Sequence, residues 1–162
     1  MTTIREYRPS DRNALVALIQ SLQDHVAEMD PLKLNKYGPE FLVKEYIQYL
    51  VGRVSRENGT IYVAEKENEI VGCIAGVIQE MQEDLETYAS HDGKIMDLVI
   101  AQEHRGNHVG KQLMSALERH FETHGCAHVR VECFGYNHGA HTFYEKCGYH
   151  DRSMEMLKKL PA

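Results

Sequence analysis

The chain has 162 residues, 43% of them hydrophobic and 26% charged, with a formal net charge of −6 at pH 7. That length predicts one domain, 1–162, with room for a real core; the acidic balance argues against general nucleic-acid binding and suits a cationic partner. The opening MTTIREYRPSDR holds no apolar signal core, no apolar run approaches the ~18 residues of a membrane span, and the four cysteines form no CxxC pair, so a cytoplasmic protein with reduced thiols, no membrane contact and no metal is expected.

Ile4 to Arg8 read as a short strand closed by Pro9, and Ser10 as the cap of a helix with Leu15, Leu18, Ile19 and Leu22 on one face. Residues 24–37 are polar and mixed, a loop or a broken helix. Gly38-Pro39 opens a second helix with Leu42, Tyr46, Tyr49 and Leu50 as its stripe and Asn58-Gly59 as its stop. The runs 60–65 and 69–79 form a hairpin across a polar turn, and Gly72 and Gly76 thin its second strand for a close approach. Residues 80–93 are acidic and without period, and read as a loop. A strand at 95–101, a helix at 109–124, a strand at 128–134, a short helix at 138–146 and a last strand near 153–160 follow. The pattern is clearest in the 109–124 helix, where Val109, Leu113, Leu117 and Phe121 recur every four residues and Gly125 stands at C′. This order predicts an α/β fold, a mixed sheet with helices on its faces.

Between the strand at 95–101 and the long helix lies Arg105-Gly106-Asn107-His108-Val109-Gly110, followed by Lys111. Glycines in that place suggest a phosphate cradle, because the first helical N–H groups have no helical partners and the dipole favours an anion. A P-loop is excluded, since it requires Gly at 105 and Ser or Thr at 112, where the chain has Arg105 and Gln112. No GxGxxG is present, which leaves a dinucleotide fold unsupported.

The loop, the run Val131-Glu132-Cys133-Phe134-Gly135-Tyr136-Asn137 and the run Ala140-His141-Thr142-Phe143-Tyr144-Glu145-Lys146-Cys147-Gly148-Tyr149 occur in that order. Together they resemble the GNAT superfamily of N-acetyltransferases: its Gln/Arg-x-x-Gly-x-Gly/Ala loop, its fifth strand ending in Asn, and its A-x-x-F-Y-x-x-x-G-F/Y segment. His108 replaces the loop's middle glycine, a departure that histidine bears better than most side chains because it tolerates a left-handed backbone.

The resemblance implies a mixed, mostly antiparallel sheet flanked by helices, and acetyl transfer from acetyl-CoA to a primary amine. It assigns the CoA pyrophosphate to Arg105, Gly106, Asn107, His108, Val109, Gly110 and Lys111, mostly through main chain. It assigns the pantetheine arm to the fourth strand around Leu98, Val99 and Ile100, freed by a splay from the fifth strand, where an N–H is able to stabilise the oxyanion. The same three residues also suit a plain core. Tyr144 becomes the general acid toward the departing thiolate, since its ordinary pKa of ~10 lies above that of a thiol. Asn137 either contacts the CoA arm or caps the short helix. Glu132 and Asp97 are the two candidates for the base; Glu132, five residues before Asn137, matches a glutamate of superfamily members that acetylate protein N-termini, which favours a peptide amine.

The acceptor in this superfamily lies between the first helices and the connection of strands three and four. Here that connection carries Glu80, Glu83, Asp84 and Glu86, which suits a cationic amine. Tyr37, Tyr46 and Tyr88 are candidate pocket walls. Three functions are compatible with these residues: transfer to a small cationic amine, transfer to a peptide or protein amine, or a non-catalytic acyl-CoA sensor. Dimers are common in the resembled superfamily, and the last strand, with Met154, Met156 and Leu157, suits either a homodimer interface or the protein's own core, which leaves the oligomeric state open.

Overall fold

A computed structural model describes residues 1–161. Five strands, β1 (Thr2–Glu6), β2 (Thr60–Lys66), β3 (Glu69–Met81), β4 (Ser90–Ile100) and β5 (His128–Val131), lie side by side in chain order. The first four pair antiparallel. β5 joins β4 in parallel, as it must when a whole helix carries the chain back to the strand's starting end. Helices α1 (Arg12–Met29) and α2 (Val43–Arg56) pack their apolar stripes on one face; α3 (Val109–Thr123) and α4 (His138–Lys146) cover the other. The mixed, mostly antiparallel sheet flanked by helices is therefore what forms.

The long 109–124 pattern is read correctly: Val109, Leu113, Leu117 and Phe121 are buried, and Gly125 turns left-handed just past the helix. Phe121 explains two strand glycines. A Cβ on Gly93 would overlap its ring, and one on Gly76 would lie 2.6 Å from its Cζ, so the close approach anticipated at Gly76 is made by the protein's own helix.

Other boundaries move for identifiable reasons. Ser10 does not cap the first helix. A 3₁₀ turn, Pro9–Asp11, precedes α1, and Asp11 accepts the N–H of Arg8 at 2.8 Å while pairing with Arg5 at 2.7 Å. Of the two readings of 24–37 the broken helix is the one that forms: residues 24–29 are the last turns of α1, with Ala27 buried. The helix stops where the Asp30 carboxylate collects the N–H groups of Leu32 and Leu34 at 2.9 and 2.6 Å. Gly38-Pro39 begins a separate 3₁₀ turn, so α2 starts only at Val43; it buries Ile47 and Leu50, and leaves Leu42 and Tyr49 exposed.

The β3–β4 hairpin extends to the pair Met81–Ser90, which shrinks the expected 80–93 loop to residues 82–89. β5 ends at Val131 rather than 134. The last strand does not form: residues 150–161 have no regular structure, and Met154, Met156 and Leu157 are exposed.

One irregularity in β4 redirects its side chains. Gly76 pairs with Ile95 and Ala75 with Asp97, so Met96 is an extra residue in β4. A bulge resets the alternation of side chains and re-aims its neighbours. Ile95 belongs to the α3 core, and regular alternation would send Asp97 to that face too. Instead Met96 and Asp97 both lie on the α1/α2 side, Met96 in that core and Asp97 against Tyr46 of α2.

Candidate active site

β5 pairs with β4 only from Asp92 to Ile95. Beyond the bulged Met96, Asp97 to Ile100 keep their β3 partners and have none on the β5 side among the described residues, so an interior strand presents a free main-chain edge. Leu98 and Ile100 keep partial exposure, and Val99 is buried in the α1/α2 core. The splay expected between the fourth and fifth strands is present.

The chain leaves this edge through a 3₁₀ turn, Gln102–His104, and reaches the glycine loop. The Arg105 guanidinium folds back and donates from Nε to the carbonyl of Ile100 at 3.1 Å, tying the loop to the end of β4. Gly106 (φ 78°) and His108 (φ 60°) are both left-handed. His108 thus adopts the conformation that a glycine would take most easily, at a position where histidine is tolerated. The first backbone bond of α3 runs from Gln112 N–H to His108 C=O at 3.1 Å, which leaves the amides of Val109, Gly110 and Lys111 without helical acceptors. No acidic side chain occupies the first turn and no side chain caps it, so these donors and the helix dipole stand ready for an anion. Gly110 has a second duty: a Cβ there would sit 3.1 Å from Phe143 Cζ of α4, so its smallness lets α4 pack against the loop.

That packing sets Tyr144. Phe143 and Tyr144 meet edge to face at 5.5 Å, and Tyr149 flanks Tyr144 at 5.9 Å. The Tyr149 hydroxyl donates to Glu118 of α3 at 2.9 Å, whereas the Tyr144 hydroxyl has no hydrogen-bond partner among the described residues. Burial pushes the Tyr144 phenol up to about 12, with Cys133, Asp97 and Cys147 adding to the effect. Tyr144 packs with the α3 core, whereas Asp97 lies on the opposite face of the sheet, against α2. Asn137 caps α4, its Oδ1 accepting from Ala140 N–H at 3.0 Å.

The two carboxylates proposed as base sit in opposite environments. Protein atoms crowd the Asp97 carboxylate; burial raises its pKa, and the hydrogen bond from Tyr46 at 2.7 Å only partly offsets this. Glu132 lies past the end of β5, its side chain 85% exposed and paired with Lys94 at 2.7 Å. The acidic connection is remote. From Ser90 to Asp97 the strand advances seven residues, roughly 23 Å at 3.3 Å each. Glu80 pairs with His91 at the hairpin's end, Glu83 is exposed, and Asp84 spends one oxygen on the N–H groups of Glu86 and Thr87 at 2.8 and 2.6 Å. Tyr37 and Tyr88 are exposed.

A free strand edge, an uncapped helix entered through two left-handed residues, and a tyrosine with an unpaired hydroxyl form one arrangement, and the family model for acetyltransferases (GNAT) matches residues 20–149. The chain belongs to the GNAT family. This GNAT protein is 28% identical over 140 residues to a glucosamine 6-phosphate N-acetyltransferase of Candida albicans, covering 78% of this chain and 91% of that one. Its fold matches the crystal structure of a mutant Bacillus halodurans protein with a TM-score of 0.87 at 18% identity, over 98% and 99% of the two chains. It also matches a predicted acetyltransferase from Clostridium acetobutylicum, solved with acetyl-CoA, with a TM-score of 0.73 at 16% identity over 98% and 96%. As a GNAT enzyme it is an acetyl-CoA-dependent N-acetyltransferase, and the free edge and anion-ready loop fit that co-substrate. The sensor alternative drew on His108, and that support falls away because the backbone takes up the left-handed turn with histidine in place.

Two features are invisible to the residues alone: the Met96 bulge and the partnership of Tyr46 with Asp97. Tyr46 did carry a signal, since a tyrosine near the buried face of a helix needs a polar partner for its hydroxyl. A bulge has no such mark when the residues around it, Ile95 and Met96, are both apolar.

Proposed function

We propose that this GNAT enzyme acetylates the primary amine of a small molecule, with Asp97 as the base and Tyr144 as the donor to the departing sulfur. The observation that carries the reading is the splayed edge of β4, which includes Asp97 and leads into the uncapped loop against which the α4 helix of Tyr144 packs. Acetyl-CoA, when bound, supplies an acetyl thioester. The loop amides of Val109, Gly110 and Lys111 hold its pyrophosphate, with Arg105, Gly106, Asn107 and His108 shaping the turn, and the main chain of Leu98, Val99 and Ile100 lines its arm.

The amine nitrogen forms the new C–N bond as the C–S bond breaks, and the amine proton passes to Asp97. A half-buried carboxylate whose pKa is raised is suited to take that proton. Tyr144 remains a phenol at any working pH. Its pKa of about 12 lies above the ordinary thiol value of ~8.5, so it stabilises the leaving thiolate by hydrogen bonding rather than by complete proton transfer.

For the acceptor, the Candida relative's name supports an amino sugar or its phosphate. A peptide amine, favoured on sequence by Glu132, draws less support because Glu132 is tied to Lys94 in solvent. The acidic hairpin is too far from Asp97 to serve as a first choice of acceptor site. The test is incubation of the purified protein with acetyl-CoA and a panel of amino sugars, amino-sugar phosphates, polyamines and peptides, with thiol release as readout. Release with none of them would end the reading.

A homodimer and a cytoplasmic setting complete it. The exposed Met154, Met156, Leu157 and Leu160 on a segment without regular structure support an interface role, and four free thiols support a reducing compartment. Sedimentation of the wild type against Met154→Glu/Met156→Glu checks the former.

A further inference from the structure

Asp97 is half-buried, and it differs from the well-buried carboxylates in what it is given. Asp11 is met by Arg5, Asp92 by Arg130, and Asp30 by backbone amides. Asp97 receives one hydrogen bond from the described residues, from the Tyr46 hydroxyl of α2 to Oδ2 at 2.7 Å. The phenol is itself clamped: Phe41 lies 5.5 Å from its ring and Tyr49 6.3 Å, both tilted. The bulge at Met96 turns the carboxylate to this face, and α2 supplies a rigid donor to meet it.

We propose that Tyr46 is a positioning residue for the acetyl-transfer reaction, holding Oδ2 of Asp97 so that Oδ1 is presented as the proton acceptor. This rests on the reading of Asp97 as the base. The chemistry explains why a phenol stands there. An arginine would fix the carboxylate but depress its basicity. A neutral donor orients the group and leaves most of that basicity in place. Burial raises Asp97 and the Tyr46 bond lowers it, so removing the bond should raise it further. The other ionisable groups around Asp97 do not take over the role. Cys73 of β3 and Tyr144 of α4 are neutral, with pKa values raised by burial first and by Asp97 itself second or third. Arg53 of α2 gives Nε and Nη2 to Glu57 and Nη1 to the Tyr49 hydroxyl and Met96 sulfur, and α1 offers Leu15, Leu18 and Ile19 to the core on this side of the sheet.

The test is the pH profile of kcat/KM for Tyr46→Phe, beside Asp97→Asn and a site-specific Tyr46→3-fluorotyrosine replacement. The expected result for Tyr46→Phe is a loss of about 10- to 100-fold, an acid limb displaced to higher pH, and unchanged acetyl-CoA affinity. The fluorinated phenol, a stronger donor, should displace the limb to lower pH. An acid limb unmoved by both replacements overturns the role of Tyr46 while leaving the base intact if Asp97→Asn is inactive. Full turnover by Asp97→Asn overturns the base, and this inference with it. A displaced limb accompanied by an equal loss of acetyl-CoA affinity would show Tyr46 to be structural, and overturns the proposal too.

Discussion

Lys94 and Glu132 face each other just where the β4–β5 pairing ends, with Nζ 2.7 Å from Oε1. An exposed pair of this kind contributes little, about 0–1 kcal/mol, and its carboxylate is held to a cation in water. Glu132→Gln should therefore keep turnover within about threefold of wild type, whereas Asp97→Asn should lose about 10²- to 10⁴-fold. Steady-state kinetics on the best acceptor would decide between them, and the reverse ranking would transfer the base to Glu132.

Tyr144→Phe should lower kcat by about 10²-fold, the scale of losing one donor to a developing charge, and leave acetyl-CoA affinity nearly intact. Calorimetric binding alongside turnover measures both. Equal turnover would remove the hydroxyl from the chemistry.

His108 holds φ at 60° without the freedom of glycine. Such a conformation costs a non-glycine residue about 1–2 kcal/mol, while glycine's more flexible unfolded chain returns about 0.4–1 kcal/mol of that. His108→Gly should thus be neutral or stabilising by up to about 1 kcal/mol in urea melts, with acetyl-CoA binding equal or tighter. A large loss of affinity would show that the imidazole itself touches the ligand.

Asp92 is fully buried between β4 and β5. Burial alone would raise its pKa, but hydrogen bonds from Arg130, His128 and Ser90 together outweigh it and hold the carboxylate below its ordinary value. A group lowered in the folded state adds stability that is complete above its unfolded pKa, ~3.9, and lost as pH falls from there toward the folded value. Asp92→Asn should destabilise the protein by about 3 kcal/mol at pH 7, with the gap to wild type narrowing in melts at pH 3. An unchanged gap would mean the charge is not what matters there.

Gly93→Ala should cost about 3 kcal/mol, because Phe121 has no room to withdraw from a new Cβ. The companion change Phe121→Leu should recover part of that loss if the ring is the obstacle.

Much of this enzyme was legible in its residues. The period of α3, the glycine at its end, the anion loop before it and the order of strands and helices all follow from local rules: side chains spaced to share a face, and backbone donors left over at a helix start. Those rules act over a few residues, so a chain read in one dimension displays them. Tyr144 and the CoA assignment of the loop came instead from the resemblance to the GNAT superfamily, whose motifs are short and contiguous. What they missed depends on partners distant in sequence. Asp97 faces α2 only because one residue bulges against β3; Tyr46 becomes its partner only when 51 positions of chain are folded away; Glu132 meets solvent and Lys94 because β5 stops at Val131. The tail at 153–160 opens with a strand's alternation, Ser153-Met154-Glu155-Met156, yet lacks β-branched and aromatic residues, and no second segment among the described residues pairs with it. Short contiguous motifs thus pointed to the family and to the uncapped glycine loop, while cross-sheet register decided which carboxylate faces α2 and which faces solvent.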